Sequence, residues 1–179
     1  MTLPSTLALI QDTANADTIG LGPTLTLAAA TVATGLAAGV FYTFQVSIIN
    51  ALKDVDDDAY VATFQAINRR IQNAGFAATF VGAPLLIAAA LATWWGEDGR
   101  TAAWIGASLA LQAASLAVTI GGNIPLNQEL DRTGAVSGTA ATAARSRFER
   151  RWNRLHAIRT LASIGSFATL AAAAVSAIR

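Results

Sequence analysis

The sequence predicts an all-α protein, a four-helix transmembrane bundle that is antiparallel and carries cytoplasmic helical extensions. The 179-residue chain is 54% hydrophobic and only 13% charged, whereas a soluble domain has roughly 25% charged residues. Four runs without Asp, Glu, Lys or Arg reach the roughly 18 residues that a spanning helix needs; they are residues 18–52, 71–96, 101–128 and 160–178. The runs lack the polar stripe of a soluble helix. A soluble bundle remains the alternative, because the last run is barely long enough.

Composition excludes several classes of function. Twelve basic and eleven acidic residues give a net charge of +1, so the chain has no basic field for nucleic acid. It has no cysteine and one histidine, which excludes disulfides, thiolate zinc sites, iron–sulfur clusters and multi-histidine metal sites. We therefore predict no metal and no cofactor. Any chemistry must come from amides, carboxylates, arginine and one imidazole.

Charge distribution predicts the topology of one membrane domain, residues 1–179. The two long loops hold nine of the basic residues and the opposite side holds two, so both termini should lie outside the cytoplasm. No basic residue precedes Lys53, so the first helix should remain as an anchor. Eleven arginines against one lysine favour a GC-rich bacterial genome and hence the bacterial inner membrane. The predicted spans are about 24–49, 72–95, 102–123 and 155–178.

Two groups of residues indicate how the spans sit and pack. Trp94, Trp95 and Trp104 bracket a short turn, as aromatic residues do at a membrane interface. Gly35 and Gly39 form a pair of small residues that lets another helix approach closely. This pair could pack within the chain or form the seam of a homo-oligomer.

The stretch after the first span resembles the start of a calcium loop but fails as one. Asp54, Asp56 and Asp58 alternate, yet Ala59 stands where the loop needs glycine and Gln65 where it needs glutamate. The acidic residues instead predict a helix N-terminus.

Amide side chains recur at two places in the sequence. Gln65 and Asn68 are three residues apart and share a helix face, where they could also be a solvated surface. Pro125 should end or kink the third span, presenting Asn123 and Asn127 at membrane depth. A plain helix stop is the alternative. In the composite-site hypothesis, the four amides face one cavity.

The last span is preceded by a flexible connection, TGAVSGTAATAA, and by a basic stretch. A helix over residues 145–178 would run roughly 50 Å, so its first turns must project from the roughly 30 Å membrane core. Trp152, His156 and Arg159 then share one face. We expect Arg159 to point into the bundle and contact the amide motifs. Snorkelling to lipid head groups is the alternative for Arg159, and a packing role for His156.

The same stretches resemble the anthrone-oxygenase-like membrane family. The matching segments are GLAAGVFYTFQVSIINAL, FQAIN, NIPLNQEL and RWNRLHAIRT, in that order. The resemblance implies a four-span membrane protein that oxidises anthrones to anthraquinones without a demonstrated metal or organic cofactor. The matching positions are Gln65, Asn68, Asn123, Pro125, Asn127, Trp152, Arg159 and Thr160. The family often has Asn where this chain has His156, and an imidazole can take a proton where an amide cannot.

Two functional hypotheses follow. In the enzyme hypothesis, Arg159 with Asn123 and Asn127 stabilises a substrate enolate and His156 is the candidate base. Gln65, Asn68, Trp152 and Thr160 then bind a flat aromatic or quinone-like molecule. In the alternative, the chain is a non-catalytic binding or accessory protein, and these residues form a structural network. The partners predicted are membrane lipid, a small aromatic ligand and a second copy of the chain.

Overall fold

The computed structural model describes residues 20–178, and these form five helices and no strand. The helices are α1 (Leu21–Lys53), α2 (Asp57–Ile71), α3 (Ala74–Trp94), α4 (Gly99–Arg132) and α5 (Thr139–Ser176). All except α2 are long and apolar enough to cross a membrane, and each of these four overlaps one predicted span. The predicted all-α transmembrane bundle is confirmed.

Aspartate caps begin two of the helices. The side chain of Asp56 accepts a hydrogen bond from the Ala59 amide at the start of α2, so the acidic stretch is a helix N-terminus, as predicted. Asp98 accepts from the amide and the hydroxyl of Thr101 at the start of α4. These hydrogen bonds hold the pKa of Asp98 below its usual value.

The third span does not end at Pro125, which corrects the predicted boundary. Helix α4 continues to Arg132 through a π-helical segment, Thr119–Asn123. The Ile124 amide reaches back to the carbonyl of Thr119, so the turn before the proline is wider than an α-helical turn. Pro125 then occupies the first turn of the continuing helix, where a missing amide proton is tolerated.

The predicted flexible connection before the last span is also shorter than expected. Gly134 and Gly138 adopt positive φ angles of 65° and 58°, a conformation that favours glycine. Helix α5 begins directly afterwards, at Thr139. Its 38 residues extend about 57 Å, so its first turns project well beyond a membrane core, as predicted.

The four long helices pack as antiparallel neighbours. The hydroxyls of Thr26 on α1 and Thr93 on α3 lie 2.9 Å apart, which places the start of one helix beside the end of the other. The hydroxyls of Ser108, near the start of α4, and Ser166, near the end of α5, lie 2.8 Å apart, so these two helices are antiparallel as well. Such small polar residues let helices approach closely in a membrane.

The structure refines two predictions, the interfacial position of the three tryptophans and the packing of the Gly35–Gly39 pair. Trp94 is buried, 1% exposed, and its indole nitrogen donates to the Pro23 carbonyl, so only Trp95 (75% exposed) and Trp104 (42% exposed) face outward. Gly35 packs within the chain, because an added Cβ would lie 3.1 Å from the Phe167 ring. No other group in residues 20–178 lies within 4 Å of a Cβ built at Gly39.

Buried apolar residues form two separate clusters along the bundle. We call the cluster between the four long helices the span core: Leu27, Ala30, Ile87, Ala90, Trp94, Ile105, Leu170 and Ala173. The extension core lies around α2 and the first half of α5: Ile49, Leu52, Tyr60, Val61, Phe64, Leu126, Leu130, Ala141, Ala144, Phe148 and Trp152. The polar residues of the candidate site lie between these two clusters.

The start of α5 is tied to α2 beside the extension core. Arg145 pairs with Asp57 at 3.1 Å and with Glu149 at 2.9 Å, and its guanidinium lies over the Tyr60 ring at 4.3 Å. Burial raises the pKa of Tyr60 above its usual range, so its hydroxyl stays protonated. These contacts fix α2 against α5 and close one end of the site.

Candidate functional site

The centre of the candidate site is a pair of residues one turn apart on α5, His156 and Arg159. Nε and Nη2 of Arg159 lie 3.0 Å and 2.8 Å from Nδ1 of His156. Since Nδ1 accepts from a guanidinium, the imidazole proton resides on Nε2, which donates to the Phe41 carbonyl at 3.1 Å. The imidazole is therefore neutral, and both of its nitrogens are engaged.

The Arg159 guanidinium is buried without a carboxylate partner in the described part of the chain. The residue is 8% exposed. Within residues 20–178, the basic partner of every ion pair is Arg145 and not Arg159. The guanidinium carbon instead lies 4.6 Å from the Phe41 ring centroid and 5.3 Å from that of Trp152. Aromatic faces attract a cation, but a buried charge is normally paired with an opposite charge. Within the described residues, the guanidinium thus has an acceptor in His156 but no counter-charge in contact with it.

Aromatic rings extend from this pair towards the extension core. The Trp152 ring stacks on His156 with centroids 4.8 Å apart and planes 10° apart. Phe44 on α1 lies 5.4 Å from Trp152, and Phe64 on α2 lies 4.8 Å from it. Rings from three helices therefore surround the face on which Arg159 lies.

These residues line a cavity of about 560 Å³, to which all five helices contribute lining residues. Ligand-binding pockets have volumes of roughly 300–1,000 Å³ and combine apolar walls with a few polar groups. The polar and charged lining residues are Asn68, Gln72, Asn73, Thr119, Asn127, Gln128, Asp131, His156 and Arg159. The aromatic lining residues are Phe41, Phe44, Phe64, Phe76, Phe80 and Trp152.

Exposed apolar residues of α3 and α4 are part of the cavity wall. Val81 on α3 and Ile124 on α4 both line it, yet they are 52% and 39% exposed. Ala77, one turn before Val81, is also an exposed lining residue. In a membrane, exposed apolar side chains at this level face lipid.

Five of the eight residues proposed from the sequence line the cavity: Asn68, Asn127, Trp152, His156 and Arg159. The Asn127 side-chain oxygen accepts from the Trp152 indole nitrogen at 2.7 Å, which leaves its amide nitrogen for the cavity. The Asn68 amide nitrogen is buried without a partner in the described structure. These two amides meet in one cavity, as the composite-site hypothesis expected.

The other three residues lie outside the lining and contact the backbone. The Gln65 amide nitrogen donates to the carbonyls of Leu130 and Gly134, both at 2.9 Å. Asn123 donates to the Trp152 carbonyl at 3.3 Å, and Thr160 to the His156 carbonyl. In the composite-site hypothesis, Gln65 and Asn123 faced the cavity, and the structure does not place them there.

Arg159 points into the bundle, as expected, but its side-chain hydrogen bonds go to His156 and not to the amides of the two motifs. The sequence spacing placed Trp152, His156 and Arg159 on one helix face, and the stacking and hydrogen bonds agree with that. The spacing could not show that Nδ1 of His156 accepts from Arg159, because this depends on side-chain rotamers.

Sequence reasoning missed most of the cavity wall. Phe41 with Phe44 and Phe76 with Phe80 are spaced at helical intervals, and aromatic residues in a span are usually packing residues. Asp131 was missed too, although it follows Asn127 by four residues and so continues the same helix face. Its carboxylate lines the cavity.

Comparison with known proteins yields one match. A family model described as Anthrone oxygenase matches residues 68–169, which is more than half of the chain and includes every polar lining residue. No curated protein matches the chain, and no solved structure matches it.

Proposed function

Because the chain belongs to the anthrone oxygenase family, we propose that its cavity binds a flat aromatic C–H acid and oxidises it with dioxygen. In this reaction a methylene group becomes a carbonyl, and the second oxygen atom leaves as water. The side chains, the substrate and dioxygen supply the chemistry, without a metal or an organic cofactor.

The observation that supports this proposal is the buried Arg159, which has no ion-pair partner within residues 20–178 and lines an aromatic-walled cavity. Removing a proton from a methylene that is conjugated to a carbonyl places negative charge on the carbonyl oxygen. A guanidinium in a water-poor site stabilises such an oxyanion strongly. The rings of Trp152 and Phe44 provide faces for a flat substrate, and Asn127 offers a second donor.

The structure changes the roles that we assign to four residues. We expected His156 to be the base, but its Nδ1 accepts from Arg159, so we now propose that it positions the guanidinium. Asn123 and Thr160 bind backbone carbonyls of α5 and support the helix that carries the site. Gln65 fixes the end of α4 in the same way.

The alternative is a non-catalytic membrane protein in which these residues form only a structural network. Such a network fills its own hydrogen bonds and needs no open volume. A cavity of about 560 Å³ with convergent polar groups instead supports ligand binding.

Oxygen consumption with an anthrone substrate tests the proposal. Arg159→Gln and Arg159→Lys should each lower kcat/KM by about 10²-fold or more. Glutamine removes the positive charge, and lysine keeps the charge but lacks the planar guanidinium with its several fixed N–H donors. His156→Asn should be milder, because an amide oxygen can still accept from the guanidinium. The matched control is Arg154→Gln, an exposed arginine on the same helix, which should leave turnover unchanged.

Folded yield and thermal stability in detergent are measured for every variant. Arg159 variants that do not fold would favour the structural alternative, since removing one partner from a buried polar network is destabilising. Wild-type protein that binds an anthraquinone but consumes no oxygen with any anthrone would reduce the proposal to ligand binding. Native mass spectrometry of the purified protein identifies any small aromatic molecule that it retains.

We further propose that both termini lie outside the cytoplasm of a bacterial inner membrane. The support is the excess of basic residues at the end of the bundle formed by α2 and the start of α5. Reporter fusions after Arg179 test this orientation, and cytoplasmic activity of the reporter would overturn it.

A further inference from the structure

The proposed reaction needs a group that accepts the substrate's proton. Of the residues that line the cavity, three can titrate: Asp131, His156 and Arg159. Arg159 is a cation, and His156 already donates from Nε2 and accepts at Nδ1. By elimination, Asp131 is the lining group with a free basic atom.

The surroundings of Asp131 agree with this role. Its Oδ1 atom is buried and has no hydrogen-bond partner within the described residues. A buried acceptor without a partner is costly, and here the unpartnered atom belongs to a residue that lines a ligand-sized cavity. Asp131 also makes no ion pair in residues 20–178. Because this atom has almost no accessible surface, the carboxylate must turn before a ligand in the cavity can supply that partner.

The position of Asp131 is set by the same helix that presents Asn127. The two residues are four apart on α4 and therefore lie one turn apart on one face. Arg159 belongs to α5, so the anion and the cation come from different helices that line the same cavity. A substrate in this cavity meets a proton acceptor and an oxyanion-stabilising group.

We propose that Asp131 is the catalytic base that removes the proton from the substrate's acidic C–H bond. This inference rests on the proposed function. The C–H bond breaks, an O–H bond forms on the carboxylate, and the electron pair moves to the substrate carbonyl oxygen beside Arg159. Dioxygen, the oxidant of the proposed reaction, then adds to the carbanion carbon and takes the proton from Asp131, which gives a hydroperoxide. Loss of the second methylene proton with cleavage of the O–O bond forms the carbonyl, and the released hydroxide and this proton leave as water.

Anaerobic hydrogen–deuterium exchange separates this step from oxidation. The probe is anthrone in D₂O with detergent-purified protein, and the measured quantity is methylene exchange above the protein-free rate. Asp131→Asn should lower the exchange rate and kcat by about 10²-fold or more, since general bases contribute about 10²–10⁴-fold. KM should change much less. Asp131→Glu should restore part of both rates.

Two further variants make the result interpretable. Glu129→Gln is the matched control, because Glu129 is an exposed acid on the same helix that does not line this cavity; it should leave both rates unchanged. Asp131→Ala is measured in parallel, so that the conclusion does not depend on the folding of one variant. Because Oδ1 has no hydrogen-bond partner among residues 20–178, Asp131→Asn should keep the thermal midpoint of the wild type.

The outcomes distinguish this inference from the proposed function. If Asp131→Asn exchanges and turns over like the wild type while Arg159→Gln does not, the inference is overturned and the oxygenase function stands. If the wild type catalyses exchange that requires Asp131 but consumes no oxygen, the base is supported and the oxygenase function fails. A wild type with neither exchange nor turnover overturns both.

Discussion

Gln65 and Asn68 show how two amides on one helix face can serve different purposes. Gln65 joins α2 to the end of α4, because one amide group donates to two carbonyls there, those of Leu130 and Gly134. Asn68, one turn later, lines the cavity with an amide nitrogen that has no partner in the described structure. One residue therefore stabilises the fold and the other is available to a ligand.

We expect Gln65→Ala to destabilise the protein and Asn68→Ala to weaken substrate binding. The first change removes two hydrogen bonds between α2 and the end of α4, each of which contributes about 0.5–1.5 kcal/mol; the second removes a group that lines the cavity. Thermal unfolding in detergent and oxygen-consumption kinetics measure the two effects. A Gln65→Ala variant with wild-type stability and a strongly raised KM would show that Gln65 binds substrate after all.

The sequence predicted which residue types meet at the site better than it predicted their partners. Helical spacing placed Trp152, His156 and Arg159 together because that relation is local. The partners of Gln65 lie 65 and 69 residues away, and no local pattern encodes such contacts. The same limit hid the engagement of His156 with Phe41, 115 residues away, and with it the reason to look for another base.

At the scale of elements, two π-helical segments contribute to the cavity. Phe44–Ile48 interrupts α1 and Thr119–Asn123 interrupts α4, and each supplies a lining residue, Phe44 and Thr119. Such segments are rare and frequently occur at functional sites. Pro125 signalled the second one in the sequence. The first contains no proline or glycine, so nothing in the sequence indicated it.

Gly122, in the second π-helical segment, allows α4 to approach α5 closely. A Cβ at this position would lie 2.7 Å from Cδ1 of Leu155, whereas a Cβ at Gly121 would meet nothing within 4 Å in the described structure. We expect Gly122→Ala to destabilise the protein by about 1–3 kcal/mol through overpacking. Gly121→Ala should be neutral or slightly stabilising.

A second substitution shows whether the Gly122 contact is responsible. Leu155→Ala removes the side chain that the new methyl group would meet, so the double variant should be less destabilised than the sum of the two single variants. Thermal unfolding of the four proteins in one detergent gives this coupling. Additive effects would mean that the close approach at Gly122 is not what requires glycine.

At the scale of the whole molecule, the four long helices are joined at two levels. The span core links α1 and α3 with α4 and α5 through residues such as Ile87, Ile105 and Leu170. Towards the extension core, α1 still contacts α5 through Phe41 and His156, and the gap that forms the cavity lies beside this contact. The sequence predicted four antiparallel helices from uncharged runs, since length and polarity are enough for that. It did not predict the gap, which depends on how individual side chains fill the space between helices.

Because Val81 and Ile124 line the cavity and are exposed, we expect the substrate to enter between them, and this route has a kinetic consequence. A substrate that enters there arrives from one lipid leaflet, so the rate should depend on its mole fraction in the bilayer and not on its total concentration. In liposomes, adding empty lipid at constant total substrate should slow oxygen consumption, and restoring the mole fraction should restore it. A rate that follows the free aqueous concentration would instead indicate a water-facing entrance. If the rate follows the mole fraction in the bilayer, the membrane both surrounds the protein and stores the lipophilic substrate. The substrate content of the bilayer then sets how far the protein is saturated with substrate.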